Sequence, residues 1–164
     1  MASPDNAVVL DGDDATVAFR LWPPMAVGAP LLVGWLLTLA WGDPIDLGDW
    51  RGPVGWVLVL FFVGWNGWSL WLFGRHRTGV LPGQATASLI EEGPYRLSRN
   101  PLYVGLLALY LGLALLAPTV WGLALFPAAV LLLLWGAIRP EERFLHERFG
   151  ARYGDYTRRV RRWL

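Results

Sequence analysis

Four apolar segments, none of them interrupted by a charged side chain, constrain this chain more than any other feature of its sequence. They cover residues 25–41, 53–73, 101–117 and 119–138, and each comes close to the roughly 17 to 25 residues that a helix needs to cross a bilayer. Helices buried in a soluble core are the alternative, but 164 residues are too few to cover four helices that are apolar all round. We therefore predict an all-α, polytopic membrane protein with about four transmembrane helices.

The arginines indicate how such a protein is oriented. All 14 basic residues are arginines, and 8 of them follow Ile138. Four more arginines lie between the second and third segments, whereas residues 42–52 contain a single arginine, Arg51. Because basic residues in short loops stay inside, we expect both termini on the cytosolic side of a bacterial-type cytoplasmic membrane. The predicted parts are an acidic tail (1–24), which lacks the positive start of a signal peptide, two transmembrane helices (25–73) and a C-terminal unit (74–164).

Several kinds of site are disfavoured by composition. The chain has no cysteine and two histidines, so we expect no disulfide, no thiolate chemistry and no metal centre. The arginine-rich tail is open to two interpretations, nucleic-acid binding or an amphipathic segment on the inner membrane surface. Its apolar residues favour the bilayer as partner, because they recur every three or four positions from Leu145 to Trp163. Gly150 and Gly154 are predicted to break this segment.

A tight turn joins the last two apolar segments. Their connection is only about Ala117-Pro118-Thr119 long, so they are predicted to form an antiparallel C-terminal helical hairpin. The hairpin would bring Pro101 and Ile138 to the same membrane face, although they are far apart in sequence.

The two segment ends that meet there carry polar residues with two explanations. Asn100 and Pro101 suit a helix start, and Glu141 and Glu142 suit a first helical turn. The same residue types also suit a site, since a helix N-terminus attracts carboxylate or phosphate groups. Successive helical positions point about 100° apart, so at most one glutamate can face the hairpin crevice. Further along the helix, glycines 105 and 112 serve either close helix packing or the entry of a lipid.

Taken together, these residues resemble a family. Residues 79–161 are similar to the integral-membrane methyltransferases that include isoprenylcysteine carboxyl methyltransferases and phospholipid N-methyltransferases. The resemblance rests on the order and spacing of Gly93-Pro94-Tyr95, Arg99-Asn100-Pro101-Leu102-Tyr103-Val104-Gly105, Glu141-Glu142 and Phe149-Gly150, followed by Tyr153 and Tyr156. Asn100 departs from the histidine of the eukaryotic carboxyl methyltransferases, which bears on the acceptor more than on the cofactor.

The resemblance implies S-adenosylmethionine bound at the cytosolic face, without a Rossmann domain. The long connection 74–99 would supply part of the cofactor wall through Ala87, Ser88, Leu89, Ile90 and Tyr95. The helix start would hold the cofactor through Arg99, Asn100, Pro101, Leu102 and Tyr103, and Glu141 would bind its polar or cationic groups. Catalytic roles fall to Glu141, Glu142 and Arg139.

The acceptor implied is lipophilic or small, with an isoprenylcysteine-type carboxylate or a phospholipid amine as examples. Two other functions stay open at this point: a non-catalytic membrane protein, whose polar residues serve only helix ends and lipid head groups, and a membrane reductase that uses NADPH. The three predict different ligands, respectively S-adenosylmethionine, no small cofactor and NADPH.

Overall fold

The computed structural model describes residues 21–76 and 89–164, and every regular element in these two stretches is helical. The acidic tail up to residue 20, and Ala87 and Ser88 of the predicted cofactor wall, lie outside the described residues. The elements are α1 (Pro23–Trp41), α2 (Arg51–Arg75), a 3₁₀ turn (Gly93–Arg96), α3 (Pro101–Leu116), α4 (Val120–Ala124), α5 (Phe126–Leu133), a π-helical turn (Leu134–Ile138), α6 (Arg139–Phe149) and α7 (Ala151–Arg159).

Two of these helices are long and apolar enough to cross a membrane. They are α1 with 19 residues and α2 with 25, each with a mean hydropathy of 1.6. Helix α3 is apolar but has 16 residues. The fourth predicted segment is divided into α4, α5 and the π-helical turn, because Pro127 lacks the backbone N–H that would continue α4 into α5. The all-helical class is confirmed, while the number of four spans stays a prediction.

Helix α3 lies at the centre of the bundle. Helix α2 packs along one side of it, and α1, α4 and α5 pack elsewhere around it. The contact between α2 and α3 is close: a Cβ added to Gly55 would lie 3.0 Å from the carbonyl oxygen of Gly112, and a Cβ on Gly112 would lie 3.0 Å from that of Gly55. A Cβ on Gly105 would lie 2.7 Å from Cγ of Asn66 on α2. Of the two roles open to glycines 105 and 112, the structure shows close packing.

Hydrogen bonds hold the hairpin together at its turn between α3 and α4, which we call the far end of the bundle. The Tyr110 hydroxyl on α3 donates to the carbonyl oxygen of Gly122 on α4 at 2.6 Å. Thr119 Oγ1 accepts from the Gly122 amide at 2.9 Å and so caps α4. Asp43 Oδ1, from the connection between α1 and α2, accepts from the Val120 amide at 2.9 Å. These hydrogen bonds fix the turn of the predicted hairpin.

The C-terminal tail differs from its prediction in two respects. Gly150 ends α6 with a φ of 50°, as its freedom from a Cβ allows, but α7 runs through Gly154 without a break. The predicted break at Gly154 was wrong because Tyr153 and Tyr156 are buried on either side of it, and their packing stabilises the helix. These tyrosines and Val160 pack on Leu89 of the same chain. The apolar stripe therefore covers protein and is not laid wholly against the membrane.

We predict that two glycines of α1 respond oppositely to alanine. A Cβ on Gly34 would lie 2.5 Å from the backbone nitrogen of Gly122, whereas Gly28 has nothing within 4 Å. Gly34→Ala should force α1 and α4 apart and destabilise the protein by about 1 to 3 kcal/mol. Gly28→Ala should leave stability unchanged or raise it, since alanine favours helices. Thermal melting of the detergent-purified variants measures both; an equal response would contradict the close α1–α4 approach.

Candidate functional site

The hairpin joins a tyrosine and a glutamate at the arginine-rich end of the bundle. The Tyr103 hydroxyl, in the first turn of α3, donates to Oε2 of Glu141 at 2.7 Å. Glu141 stands in the first turn of α6, directly after the π-helical turn Leu134–Ile138. Such wide turns occur often at functional sites, because they rotate the residues that follow. The contact shows that the starts of α3 and α6 are neighbours, as the hairpin predicts.

Glu141 has an unusual electrostatic position. Burial raises the pKa of its carboxyl above the usual range, the neighbouring charge of Glu142 adds to this rise, and the Tyr103 hydrogen bond opposes it. Among the described residues, no arginine or histidine forms an ion pair with Glu141. Glu141 is partly buried, and a carboxylate withdrawn from water without a cationic partner is costly. Glu141 is therefore a position where a bound positive charge would be stabilising.

Tyr95 presents a second unsatisfied group to the same region. Its side chain is 8% exposed, and its hydroxyl is buried without a hydrogen-bond partner in the described structure. Burial raises the pKa of Tyr95 far above its usual value, and the charge of Glu141 contributes to the rise. The phenol thus lies within electrostatic reach of Glu141, although nothing from the described residues bonds to it.

The sequence around Tyr95 fixes its place. Gly93 has a φ of 57°, which favours glycine, and a Cβ there would lie 2.9 Å from Leu72 Cδ1. The Tyr95 ring packs with Leu72, Phe73 and Ile90. Its carbonyl oxygen accepts from the Tyr156 hydroxyl at 2.7 Å. Helix α2 thus packs on the Tyr95 ring, and α7 bonds to the backbone of the same residue.

Glu142 points to a different partner from Glu141. It forms a two-bond pair with Arg162, from Nε to Oε1 at 3.0 Å and from Nη2 to Oε2 at 2.8 Å. Arg99 Nη1 lies 3.5 Å from the same Oε1. The hydrogen bond with Glu142 raises the pKa of Arg162. The two adjacent glutamates thus divide their functions, since Glu142 is neutralised and Glu141 is not.

Residues 160–164, which we call the C-terminal strap, close over the start of α3. The Arg161 carbonyl oxygen accepts from the Arg99 amide at 2.9 Å. The Arg162 carbonyl oxygen accepts from Ser98 Oγ at 3.2 Å and from Asn100 Nδ2 at 3.1 Å. The Asn100 side chain makes no cap to α3, so its amide fastens the strap instead.

An open cavity of about 420 Å³ lies beside the strap. Three arginines, at positions 99, 139 and 143, line it together with His146 and Glu142. The Arg139 guanidinium stacks over the ring of Trp135 at 3.5 Å from its centroid, and that ring is 54% exposed. Arg139 thus lies between the cavity and an apolar aromatic surface.

The predicted site residues fall into separate groups in the structure. Tyr103 and Glu141 are hydrogen-bonded to each other, and Tyr95 lies within electrostatic reach of Glu141. Arg99, Asn100 and Glu142 hold the strap, and Arg139 faces the cavity. Ile90 packs on Tyr95, and Leu89 packs on the tyrosines of α7. Pro101 and Leu102 contribute carbonyl oxygens that accept from the side chains of Trp65 and Asn66 on α2.

Sequence reasoning missed Ser98, Arg162, Trp65 and Asn66. One signal was available for Asn66, which is a carboxamide inside an apolar segment. Arg162 gave none, because it is one of several arginines in a basic tail.

Comparison with known proteins places the chain in a family. Residues 50–152 match the family model described as phospholipid methyltransferase. The chain belongs to the phospholipid methyltransferase family. This match includes α2 and extends the resemblance seen in the sequence, and members of the family generally use S-adenosylmethionine. No solved structure matches the chain significantly.

Two curated proteins are similar to this family member. One is the cobalt-zinc-cadmium resistance protein CzcN of Cupriavidus metallidurans, which is 33% identical over 126 residues and covers 76% of this chain and 56% of its own. The other is the nickel-cobalt-cadmium resistance protein NccN of Alcaligenes xylosoxydans xylosoxydans, which is 28% identical and covers 70% of this chain and 62% of its own. The chain thus spans little more than half the length of these relatives.

Glu141→Gln should stabilise the protein in a pH-dependent manner. The raised pKa of Glu141 in the folded state means that folding is favoured most below the unfolded value of 4.5 and loses stability as pH rises through the folded pKa. Glutamine avoids that loss and still accepts from Tyr103, so the variant should melt higher at about pH 8 and equally at about pH 4.5. Glu147→Gln, exposed on the same helix, is the control. A variant less stable at every pH would mean that Glu141 has a cationic partner.

Arg162→Ala should release the C-terminal strap. The variant loses both bonds to Glu142, and Glu142 then keeps only the longer contact with Arg99. We expect the C-terminus to become about tenfold more sensitive to carboxypeptidase, which follows the population of locally opened molecules. Arg161→Ala is the matched control, because Arg161 contributes its backbone carbonyl to the strap. Equal digestion of the two variants would contradict the fastening role of the Glu142–Arg162 pair.

Proposed function

We propose that this chain binds S-adenosylmethionine at the arginine-rich, inner face of the membrane and transfers its methyl group to a lipophilic or small acceptor. Two observations carry the proposal: Glu141 is a partly buried carboxylate with no arginine or histidine partner among the described residues, and the buried Tyr95 hydroxyl has no hydrogen-bond partner there. Family membership agrees with methyl transfer. The topology that puts the site inside follows from the distribution of arginines.

The residues present fit this cofactor. The sulfonium and amino groups are positive and suit Glu141, and the aromatic rings of Tyr95 and Tyr103 suit a cation as well. A carboxylate suits the N-terminus of α3, where the helix dipole is positive. The free Tyr95 hydroxyl has a donor and an acceptor to offer to a polar ligand group.

When bound, the cofactor supplies an activated methyl group, whose bond to sulfur breaks as a bond to an acceptor oxygen or nitrogen forms. The protein has to orient the two reactants and exclude water, and these effects can contribute most of the rate. Helix α7 bonds to the Tyr95 carbonyl oxygen through the Tyr156 hydroxyl, and the strap bonds to Ser98 and Asn100 at the start of α3. Tyr103 fixes the Glu141 carboxylate through one short hydrogen bond.

The protonation of the glutamates bears on the choice of acceptor. A carboxylate acceptor needs no base, whereas a protonated amine must lose a proton. The Glu142 carboxylate is already occupied by Arg162 and Arg99. Glu141, whose pKa is raised by burial, is the better proton acceptor of the pair, and His146 in the open cavity is the alternative.

The open cavity suits the anionic part of an acceptor. Arg139 and Arg143 face it, and neither forms an ion pair with a described residue. The exposed ring of Trp135 beneath Arg139 is of the kind that sits at membrane interfaces. A lipophilic acceptor such as a prenylated carboxylate or a phospholipid would place its head group on the arginines and its chain on this side of the bundle.

The two relatives are named for resistance to metals, which raises the question of a metal site in this chain. Within residues 21–76 and 89–164, no group of three or more histidine and acidic residues is placed to hold a metal ion. No observation on the described part of the chain therefore favours it over methyl transfer.

The proposal predicts opposite effects of Tyr95→Phe on stability and binding. The substitution keeps the ring and removes a hydroxyl that has no partner, so the free protein should be as stable as wild type or more so. Binding of S-adenosylhomocysteine, measured by calorimetry on detergent-purified protein, should weaken by about fivefold to tenfold, the value of one hydrogen bond. Tyr110→Phe is the control: it loses the bond to Gly122, and should lower stability without changing affinity.

Two further ligands complete this experiment. Wild type should bind S-adenosylmethionine and should not bind NADPH. Binding of NADPH alone would favour the reductase, and binding of neither by folded protein would favour a non-catalytic membrane protein. Transfer of radiolabelled methyl groups into lipid extracts of cells that express the chain would then reveal the class of acceptor.

A further inference from the structure

Two side chains of α2 reach the first turn of α3. Trp65 Nε1 donates to the Pro101 carbonyl oxygen at 2.9 Å, and Asn66 Nδ2 donates to the Leu102 carbonyl oxygen at 3.2 Å. Carbonyl groups at the start of a helix already accept from amides four residues later. These two oxygens therefore receive second donors that helix formation itself does not require.

The polar side chain of Asn66 costs free energy at its position in α2. It lies in the middle of an apolar helix, where polar side chains are rare and usually functional. Its Oδ1 is buried without a partner in the described structure. Gly105 on α3 leaves the space for it, since a Cβ there would lie 2.7 Å from Asn66 Cγ. The pair of Asn66 and Gly105 thus fixes the height and rotation of α3 against α2 at one point.

The same helix also holds the other half of the site. One to two turns after Asn66, Leu72 is 2% exposed and packs on Tyr95, and Phe73 meets the Tyr95 ring edge-on at 5.8 Å. Helix α2 therefore contacts both the 3₁₀ turn that carries Tyr95 and the helix that carries Tyr103. The position at which α2 contacts α3 therefore determines how far Tyr95 lies from Tyr103.

We propose that Trp65 and Asn66 are positioning residues of the methyltransferase site, which hold the first turn of α3 so that Tyr103 meets Glu141 at the correct distance from Tyr95. This inference rests on the proposed function. Neither residue touches the site itself, so their effect comes through the carbonyl groups of Pro101 and Leu102. Gly105 belongs to the same device as the seat of Asn66.

Calorimetry with S-adenosylhomocysteine tests the proposal, because it reports the fraction of active protein and the affinity separately. Trp65→Phe and Asn66→Leu each remove one donor and keep most of the volume. We expect each to weaken the affinity about fivefold, with little change in binding stoichiometry. Trp56→Phe, on an exposed face of α2, and Ser69→Ala, whose hydroxyl bonds only within α2, are matched controls that should keep wild-type affinity.

Gly105→Ala provides a second route to the same result. It leaves both donors in place but removes the seat of Asn66, and should weaken affinity to a similar degree. Combined with Asn66→Ala, which vacates the space, it should cause no further loss, because the two residues act through one contact. Losses that multiply would overturn the shared contact.

The outcomes distinguish a failure of this inference from a failure of the proposed function on which it rests. If folded wild type does not bind S-adenosylhomocysteine, the proposed function fails. If wild type binds and Trp65→Phe and Asn66→Leu lower only the melting temperature or the active fraction, the two residues are merely structural and the positioning role is wrong. Weaker affinity at full stoichiometry, with unchanged controls, is the result expected.

Discussion

The hydrogen bond between Tyr103 and Glu141 is the contact on which the rest of this end of the bundle depends. It joins the first turn of α3 to the first turn of α6 across the whole length of the hairpin, at 2.7 Å. It forms because a short connection returns the chain antiparallel, and the helix of Glu141 follows directly after the π-helical turn, an element frequent at functional sites. A single neutral hydroxyl is a modest partner for a partly buried carboxylate. The contact therefore positions Glu141 without neutralising it.

The neighbouring Glu142, in the same helical turn, is neutralised by arginines, unlike Glu141. It takes both nearby arginines, Arg162 in two short bonds and Arg99 in a longer one. The pair thereby draws the C-terminal strap over the start of α3. Adjacent residues of a helix point about 100° apart. This difference lets Glu142 pair with arginines and leaves Glu141 available to a ligand.

Part of this arrangement could be read from the sequence because its causes are local. Uninterrupted apolar runs predict the helices, the short connection at Pro118 predicts the hairpin, and the 100° turn predicts that Glu141 and Glu142 diverge. The strap and Asn66 could not be predicted, since their partners lie 20 to 64 residues away and any arginine or polar residue would give the same local pattern. Gly154 misled for a related reason: its local tendency to break a helix was outweighed by the burial of Tyr153 and Tyr156.

The two ends of the bundle treat their polar groups differently, and this contrast bears on function. At the far end, Thr119 is fully buried, Tyr110 is fully buried, and both are hydrogen-bonded. The described atoms that are buried without a partner, Asn66 Oδ1, Tyr95 Oη and Arg99 Nε, are all on residues that hold or flank the start of α3. Folding alone would select against such groups, since each costs about 1 to 3 kcal/mol. Their collection at the end that also carries an uncompensated carboxylate is what a binding site requires, because a ligand with both cationic and hydrogen-bonding groups recovers there the free energy that the empty protein loses.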